Sequence, residues 1–179
     1  MEVNSCTSCR LAAYRRHTCP GRGDVPAPVM VIGIGPGREE DKQGQPWVGR
    51  SGQLLATLLG ETGVGRVFLT NAVRCLLPGT PPRAPLPDEV EACSIWLQRE
   101  IAQVNPSVIL LLGGPAVALQ IPGARLSRVS GVARYRDGRI WIPAPHPAAV
   151  LRGGRMEYLS MLRAAIARAR VEVEANGAY

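Results

Sequence analysis

The chain has 179 residues, of which 46% are hydrophobic, and a formal net charge of +7. That length suits one domain with a substantial core, and no apolar run approaches the ~20 residues a membrane helix needs. The basic balance favours a polyanionic partner, nucleic acid ahead of a membrane surface.

The opening MEVNSCTSCR lacks the apolar stretch of a signal peptide, so a cytoplasmic protein with reduced or metal-bound cysteines is expected. SCTSCRLAAYRR (5–16) predicts a short helix or turn, and PGRGDVPAP (20–28) a connector. Val29 to Ile34 reads as a buried strand: short, apolar, β-branched and bounded by Pro and Gly. A Pro-Gly-rich loop, GIGPGREEDKQGQPWVG, follows from Gly33 to Gly49. A helix over 51–61 comes next, with Ser51 as N-cap and Leu54, Leu55, Leu58 and Leu59 on one face. RVFLTNAV (66–73) is a second strand and LLPGTPPRAPLP (76–87) a loop. Asp88 and Glu91 suggest a capping box for a helix whose stripe is Val90, Leu97, Ile101 and Val104, with Cys93 on that face. SVILLLGG (107–114) is a third buried strand, and Pro115 opens a short helix. VARYRDGRIWIP (132–143) predicts a hairpin turned at Asp137-Gly138, and 154–172 a last helix.

Alternating strands and helices imply a mainly parallel sheet covered on both faces, in which ligands bind beyond the carboxyl ends of the strands. Three loops leave there: the one after strand one, the one near Asn71, and APHPAAVLRGG after the hairpin. The first lacks GxGxxG and any GK[ST], so a dinucleotide or P-loop site is not expected. Stiff prolines around Trp47 suit a flat ring, although Trp47 could equally plug the loop onto the core. Asn71 offers a donor and an acceptor side by side, able to read a base edge. His146, between two prolines, could aim a proton donor. Each also has a plain reading, a turn-forming Asn and a solvated His.

The cysteines are Cys6, Cys9, Cys19, Cys75 and Cys93. CTSC places two thiols within reach of one metal centre, whereas Cys75 and Cys93 need the fold to bring them in. Three readings stay open on spacing alone: an iron–sulfur site, a local zinc site of Cys6, Cys9, His17 and Cys19, or buried free thiols.

Taken together, these segments resemble the iron–sulfur uracil-DNA glycosylases, the family 4 branch of that superfamily. The family's first motif, roughly GEAPGxxEDxxGxPFVGxAGxLL, appears as GIGPGREEDKQGQPWVGRSGQLL (33–55). Its TNxVKC appears as TNAVRC (70–75) and its HPAALLR-like motif as HPAAVLR (146–152). The resemblance covers nearly the whole chain. It implies one α/β domain over 1–179, three layers α/β/α around a mainly parallel four-stranded sheet. It implies that Cys6, Cys9, Cys75 and Cys93 hold a structural 4Fe–4S cluster, leaving Cys19 as a spare thiol. It implies a monofunctional hydrolase acting on DNA that carries uracil or a related deaminated base, leaving an abasic site.

The resemblance also assigns roles. Trp47, at a family Phe position, stacks on the flipped base, within a pocket of Gly33, Ile34 and Gly35. Asn71 pairs with the O4/N3 edge, and His146 donates to O2 of the leaving uracil. Asp41 or Glu40 orients water. Leu151 wedges into the duplex and Arg152 and Arg155 meet phosphate, as do Arg50, Arg74 and Arg83. The chain departs from the pattern at Ile34 and Gly35, where the family has Glu and Ala, and at Pro145, where it often has Tyr. The first departure raises the alternatives of another modified base, or of DNA binding without cleavage. A third alternative is an iron–sulfur scaffold that keeps only the fold. Lys42 is the only lysine, which argues against Schiff-base strand nicking. No long basic insert precedes His146, which argues against a covalent intermediate. A monomer is the default.

Overall fold

The computed structural model describes residues 3–153 and 156–177. Six strands form one sheet: β1 (Arg22–Gly23), β2 (Val29–Gly33), β3 (Val67–Asn71), β4 (Val108–Leu112), β5 (Arg134–Arg136) and β6 (Arg139–Ala144). Their order is β1-β3-β2-β4-β6-β5. The central four, β3-β2-β4-β6, are mutually parallel. β1 and β5 add short antiparallel edges, so the sheet has six strands rather than four. Both additions have local causes. β1 is a two-residue contact made by the connector, and β5 is the outer arm of a hairpin that Asp137 and Gly138 turn with positive φ at both positions.

β2 and β4 are buried along their whole length, as an inner parallel strand must be. The sheet separates two apolar layers. On one face Val31, Leu110 and Ile142 pack with Leu55 and Leu58 of α2 (Arg50–Thr62) and Leu162 and Ile166 of α7 (Met156–Ala175). On the other, Ile32, Ile109 and Trp141 pack with Leu97 and Val104 of α3 (Pro87–Val104) and with Val117 and Val129. The last two belong to α4 (Gly114–Gln120) and α5 (Leu126–Val129), the latter not foreseen from sequence.

Two helix starts differ from expectation. α2 begins at Arg50 with Gly49 as N-cap, because the Glu40 carboxylate receives the Gly49 N–H at 2.7 Å. α3 begins at Pro87, whose missing N–H costs nothing there, and Glu89 rather than Glu91 reaches back to the Leu86 N–H at 2.8 Å. Two expected loops are partly helical. REEDKQ forms α1 (Arg38–Gln43), closed by Gly44 in the left-handed conformation. Pro147–Gly153 forms α6, seven residues entered by a proline and rich in Ala and Leu. The N-terminal segment makes two 3-10 turns, Val3–Ser5 and Arg10–Ala13.

Candidate active site

The sheet's carboxyl edge gathers residues far apart in sequence. Gly33 ends β2 beside Asn71, the last residue of β3. The pairing runs on as Ala72 and Val73 N–H groups donate to Gly33 and Ile34 carbonyls at 2.8 and 3.0 Å. Asn71 is buried. A Cβ at position 33 would lie 2.5 Å from Asn71 Oδ1 and 2.8 Å from Trp47 Cζ2, so only glycine lets these two side chains share the site.

Trp47 is buried and packs into the α2/α7 layer, with Nε1–H donating to the Thr70 carbonyl at 3.0 Å. It sits at φ +60°, unusual for a bulky residue. Arg22 holds that backbone by donating to the Pro46 and Trp47 carbonyls at 2.9 and 3.1 Å. Strain kept in place this way is common where a loop must present a ring. Trp47 thus plugs the loop onto the core, and its ring lies against that of His146 at a centroid distance of 5.2 Å.

His146 follows β6 and immediately precedes α6. The Ala148 N–H donates to its Nδ1 at 3.0 Å. A nitrogen that accepts carries no proton, so in the neutral ring the hydrogen sits on Nε2. Burial, aided by the nearby Arg152 charge, pushes the ring down to about 4. His146 is therefore a neutral donor at physiological pH. Gly113, at φ +94°, lets the chain pass close; a Cβ there would meet His146 Cβ at 3.1 Å.

Asn71 is fixed from behind by Arg74, a fully buried residue whose Nη1 donates to the Asn71 carbonyl. Arg74 Nη2 pairs with Glu100 Oε2 at 2.7 Å, and that oxygen also accepts the Thr70 hydroxyl at 2.6 Å. Arg74 thus does not meet phosphate. Neither is Arg83 free, since it pairs with the buried Glu89 at 2.6 Å and holds that carboxyl below the usual range. A basic residue in TNAVRC reads as a surface charge in sequence; only the acidic partner on α3 reveals it as internal.

The acidic pair of α1 divides. Glu40 reaches the Gly49 amide, its carboxylate lying between Gly37 and Gly49. Asp41 is buried and turned toward the N-terminal segment, accepting the Arg16 N–H at 2.9 Å. His17 Nδ1 lies 2.9 Å from the Asp41 carbonyl, and the Cys19 thiol donates to the Glu40 carbonyl at 3.2 Å. These contacts disperse the local zinc set of Cys6, Cys9, His17 and Cys19. Burial also pushes the Cys19 thiol up to about 12, so it stays protonated.

Ile34 packs against a third cluster of Leu11, Val73, Cys75, Leu77 and Cys93. A Cβ at Gly35 would meet Val73 and Leu77 of that cluster at 2.9 and 3.1 Å. Both departures from the family motif therefore face this cluster, not the Trp47 ring. Leu151 is exposed on α6 with Arg152, next to His146 in sequence. Arg155 lies outside the described residues, and Arg50 is exposed at the start of α2.

Cys6, Cys9, Cys75 and Cys93 line one cleft with Arg15, Arg74 and Trp96. Among the described residues no three of His, Cys, Asp or Glu converge as they would on a single ion. Arg15 Nη1 lies 3.4 Å from Cys75 Sγ, and the Trp96 indole N–H faces Cys6. Burial raises the Cys75 and Cys93 thiols, the latter to about 11, so their ionisation calls for a cationic centre. Burial also acts to raise Cys6, but hydrogen bonds with Ser8 and Trp96 and the Arg15 charge prevail and hold it lower. Four sulfur donors with N–H groups of Arg15 and Trp96 facing them fit an iron–sulfur group in chemistry.

Gly33, Asn71, Trp47 and His146 are gathered at the carboxyl edge of an open α/β sheet, the edge at which such folds bind ligands. Residues 20–170 match the uracil DNA glycosylase superfamily, and the chain belongs to it. It is 36% identical to a type-4 uracil-DNA glycosylase of Thermotoga maritima, over 98% of this chain and 93% of that protein. It is 37% identical to a type-4 uracil-DNA glycosylase of Pyrobaculum aerophilum, over 84% and 81% of the two chains. A type-5 uracil-DNA glycosylase of Thermus thermophilus is 31% identical over 70% of this chain and 63% of its own.

Proposed function

We propose that this chain, acting as a single domain, hydrolyses the N-glycosidic bond of deoxyuridine in DNA and leaves an abasic site. The observation that carries the reading is the neutral His146, its Nδ1 occupied by the Ala148 amide so that Nε2 carries the proton, stacked beside Trp47. The similarity to type-4 uracil-DNA glycosylases supports it.

The glycosidic bond is out of reach inside a duplex, so the base is flipped, at a cost of a few kcal/mol that is least in single strands and mismatches. Asn71 reads the ring edge: its amide donates to O4 and accepts from N3–H, a pattern cytosine reverses. Nε2–H of His146 donates to O2 as the bond lengthens and negative charge collects on the leaving uracil. A donor held in place and already neutral needs no reorganisation at that moment. Leu151 fills the space the base leaves, and Arg152, with Arg155, meets the backbone phosphates.

Cys6, Cys9, Cys75 and Cys93 would hold a 4Fe–4S cluster, which when bound supplies a cross-link among the N-terminal segment, the turn after β3 and α3. Hydrolysis needs no electron transfer, so its role is structural. Asn71 lies four residues before Cys75, and Arg16 to Cys19 bond to α1, so both sides of the pocket depend on that anchorage. Because Ile34 and Gly35 face the cysteine-bearing cluster, they leave the ring-binding surfaces unchanged, which favours uracil over a larger base.

The test is an excision assay on single-stranded oligonucleotides, each carrying one uracil, hypoxanthine, xanthine or 5-hydroxymethyluracil, with thymine as control, followed by alkaline cleavage. Breaks at uracil are expected. Breaks only at another base would move the specificity to Ile34 and Gly35, and no breaks at all would make the chain a non-catalytic DNA binder.

A further inference from the structure

At the opposite end of the sheet from the pocket lies a basic surface that the excision reaction does not use. Residues 122–139 hold Arg125, Arg128, Arg134, Arg136 and Arg139 against a single acid, Asp137. Arg125, Arg128, Arg134 and Arg136 are exposed. Among the described residues only Arg136 of these four has an acidic partner, Asp137 at 3.1 Å. β5 is the sheet edge, with all three of its residues, Arg134, Tyr135 and Arg136, exposed. Tyr135 is 79% exposed, its ring open to solvent between the two arginines of the strand.

The strand also borders a groove of about 380 Å³ lined by Ile121, Arg134, Tyr135, Arg136 and Trp141. The groove has a fixed floor. Arg136 lies over the Trp141 ring at 4.4 Å, and Trp141 Nε1 donates to the Arg136 carbonyl at 3.1 Å. In register, Arg134 stands opposite Trp141 and Arg136 opposite Arg139. The patch thus lies at the Arg139 end of β6, while His146 follows its other end, roughly 17 Å away at ~3.3 Å per residue.

We propose that this edge is a second nucleic-acid contact, for a single strand: Arg125, Arg128 and Arg134 take phosphates and Tyr135 takes the face of an unpaired base. Unpaired bases are what an exposed ring between cations can stack, whereas a duplex offers its base faces to no one. The spacing from His146 means that a strand of two or three nucleotides cannot occupy both surfaces, whereas a longer one can. The patch therefore adds grip on long single-stranded DNA without altering the chemistry at the pocket.

The test is fluorescence anisotropy with labelled eight-nucleotide oligothymidylate, which has no excisable base, titrated across salt concentrations. Tyr135→Ala should weaken binding about tenfold, as loss of one base–aromatic stack does. Arg128→Gln and Arg134→Gln should each flatten the log–log salt slope by roughly 0.7. Melting temperature, and excision from a uracil-containing trinucleotide too short to reach the patch, should stay at wild-type values, since these side chains are exposed and distant from His146. The proposal does not rest on excision: His146→Ala should retain full oligothymidylate binding. Wild-type affinity and slope in all three variants would overturn it. So would variants that lose binding to a polyglutamate peptide while keeping the oligonucleotide, which would assign the patch to an acidic protein.

Discussion

The His146 ring lies on that of Trp47, with centroids 5.2 Å apart and planes 21° off parallel. A base cannot slip between them, because two stacked contacts need about twice the ~3.5 Å spacing of touching carbons. For the base to stack on Trp47, His146 must give up part of that face and meet the base by its edge, where Nε2–H points. His146→Ala should then cost ~10²–10³ in single-turnover rate, as loss of one anion-stabilising donor does. A wild-type rate in this variant would remove His146 from the chemistry.

The same ring sets the pH response. Burial pushes His146 down to about 4, below its ordinary value of 6.5. Excision should be flat from about pH 5 to 8, with no inflection near 6.5, and fall as pH approaches 4. For stability, a depressed histidine binds its proton more readily unfolded. Its contribution is complete above pH 6.5 and is lost as pH falls toward 4. Single-turnover rates and thermal melts across that window check both; a rate inflection at 6.5 would mean the ring is solvated.

Asn71→Asp should slow uracil release and allow cytosine release, because a protonated carboxyl can present the reversed donor–acceptor pattern. Oligonucleotides with a single cytosine opposite no partner are the substrate to use. If cytosine is never freed, Asn71 does not read the base edge.

Glu100 lies on α3, away from the pocket surfaces, yet it pairs with the buried Arg74 that grips the Asn71 carbonyl. Glu100→Gln leaves a buried charge unpaired and should cost ~3 kcal/mol of stability. Arg74→Met with Glu100→Gln should recover much of that stability, but kcat should stay low, since the Asn71 carbonyl then loses the Arg74 clamp. Recovery of both would reduce the pair to packing.

Cys75→Ala should lose brown colour and melting temperature together, with Cys19→Ala keeping the colour. The Cys19 thiol is committed to the Glu40 carbonyl, so its loss should loosen α1 and not the sulfur site. A colourless wild-type protein of undiminished stability would point away from iron.

The sequence by itself determined the parallel core and singled out the residues that gather at its carboxyl edge. Runs such as VMVI and VILLL can only be inner strands, and their period and bounding Gly and Pro place them. The turn at Asp137-Gly138 was equally legible, because two residues of positive φ are a local demand. Trp47, Asn71, His146 and the cysteines stood out because their motifs occur in fixed order. What the tertiary structure decided is which way each side chain turns and whom it meets. Ile34 sits in the motif yet packs on the cysteine-bearing cluster, because the chain bends just after β2 ends at Gly33. Arg74 looked like a phosphate ligand until Glu100, from another element, gave it a buried partner. Asp41 and Cys19 gained roles only when the N-terminal segment was laid across α1. The basic edge of β5 became a surface only once the sheet had an end for it to occupy. Such relations depend on residues distant in the chain, and no local period or propensity encodes them.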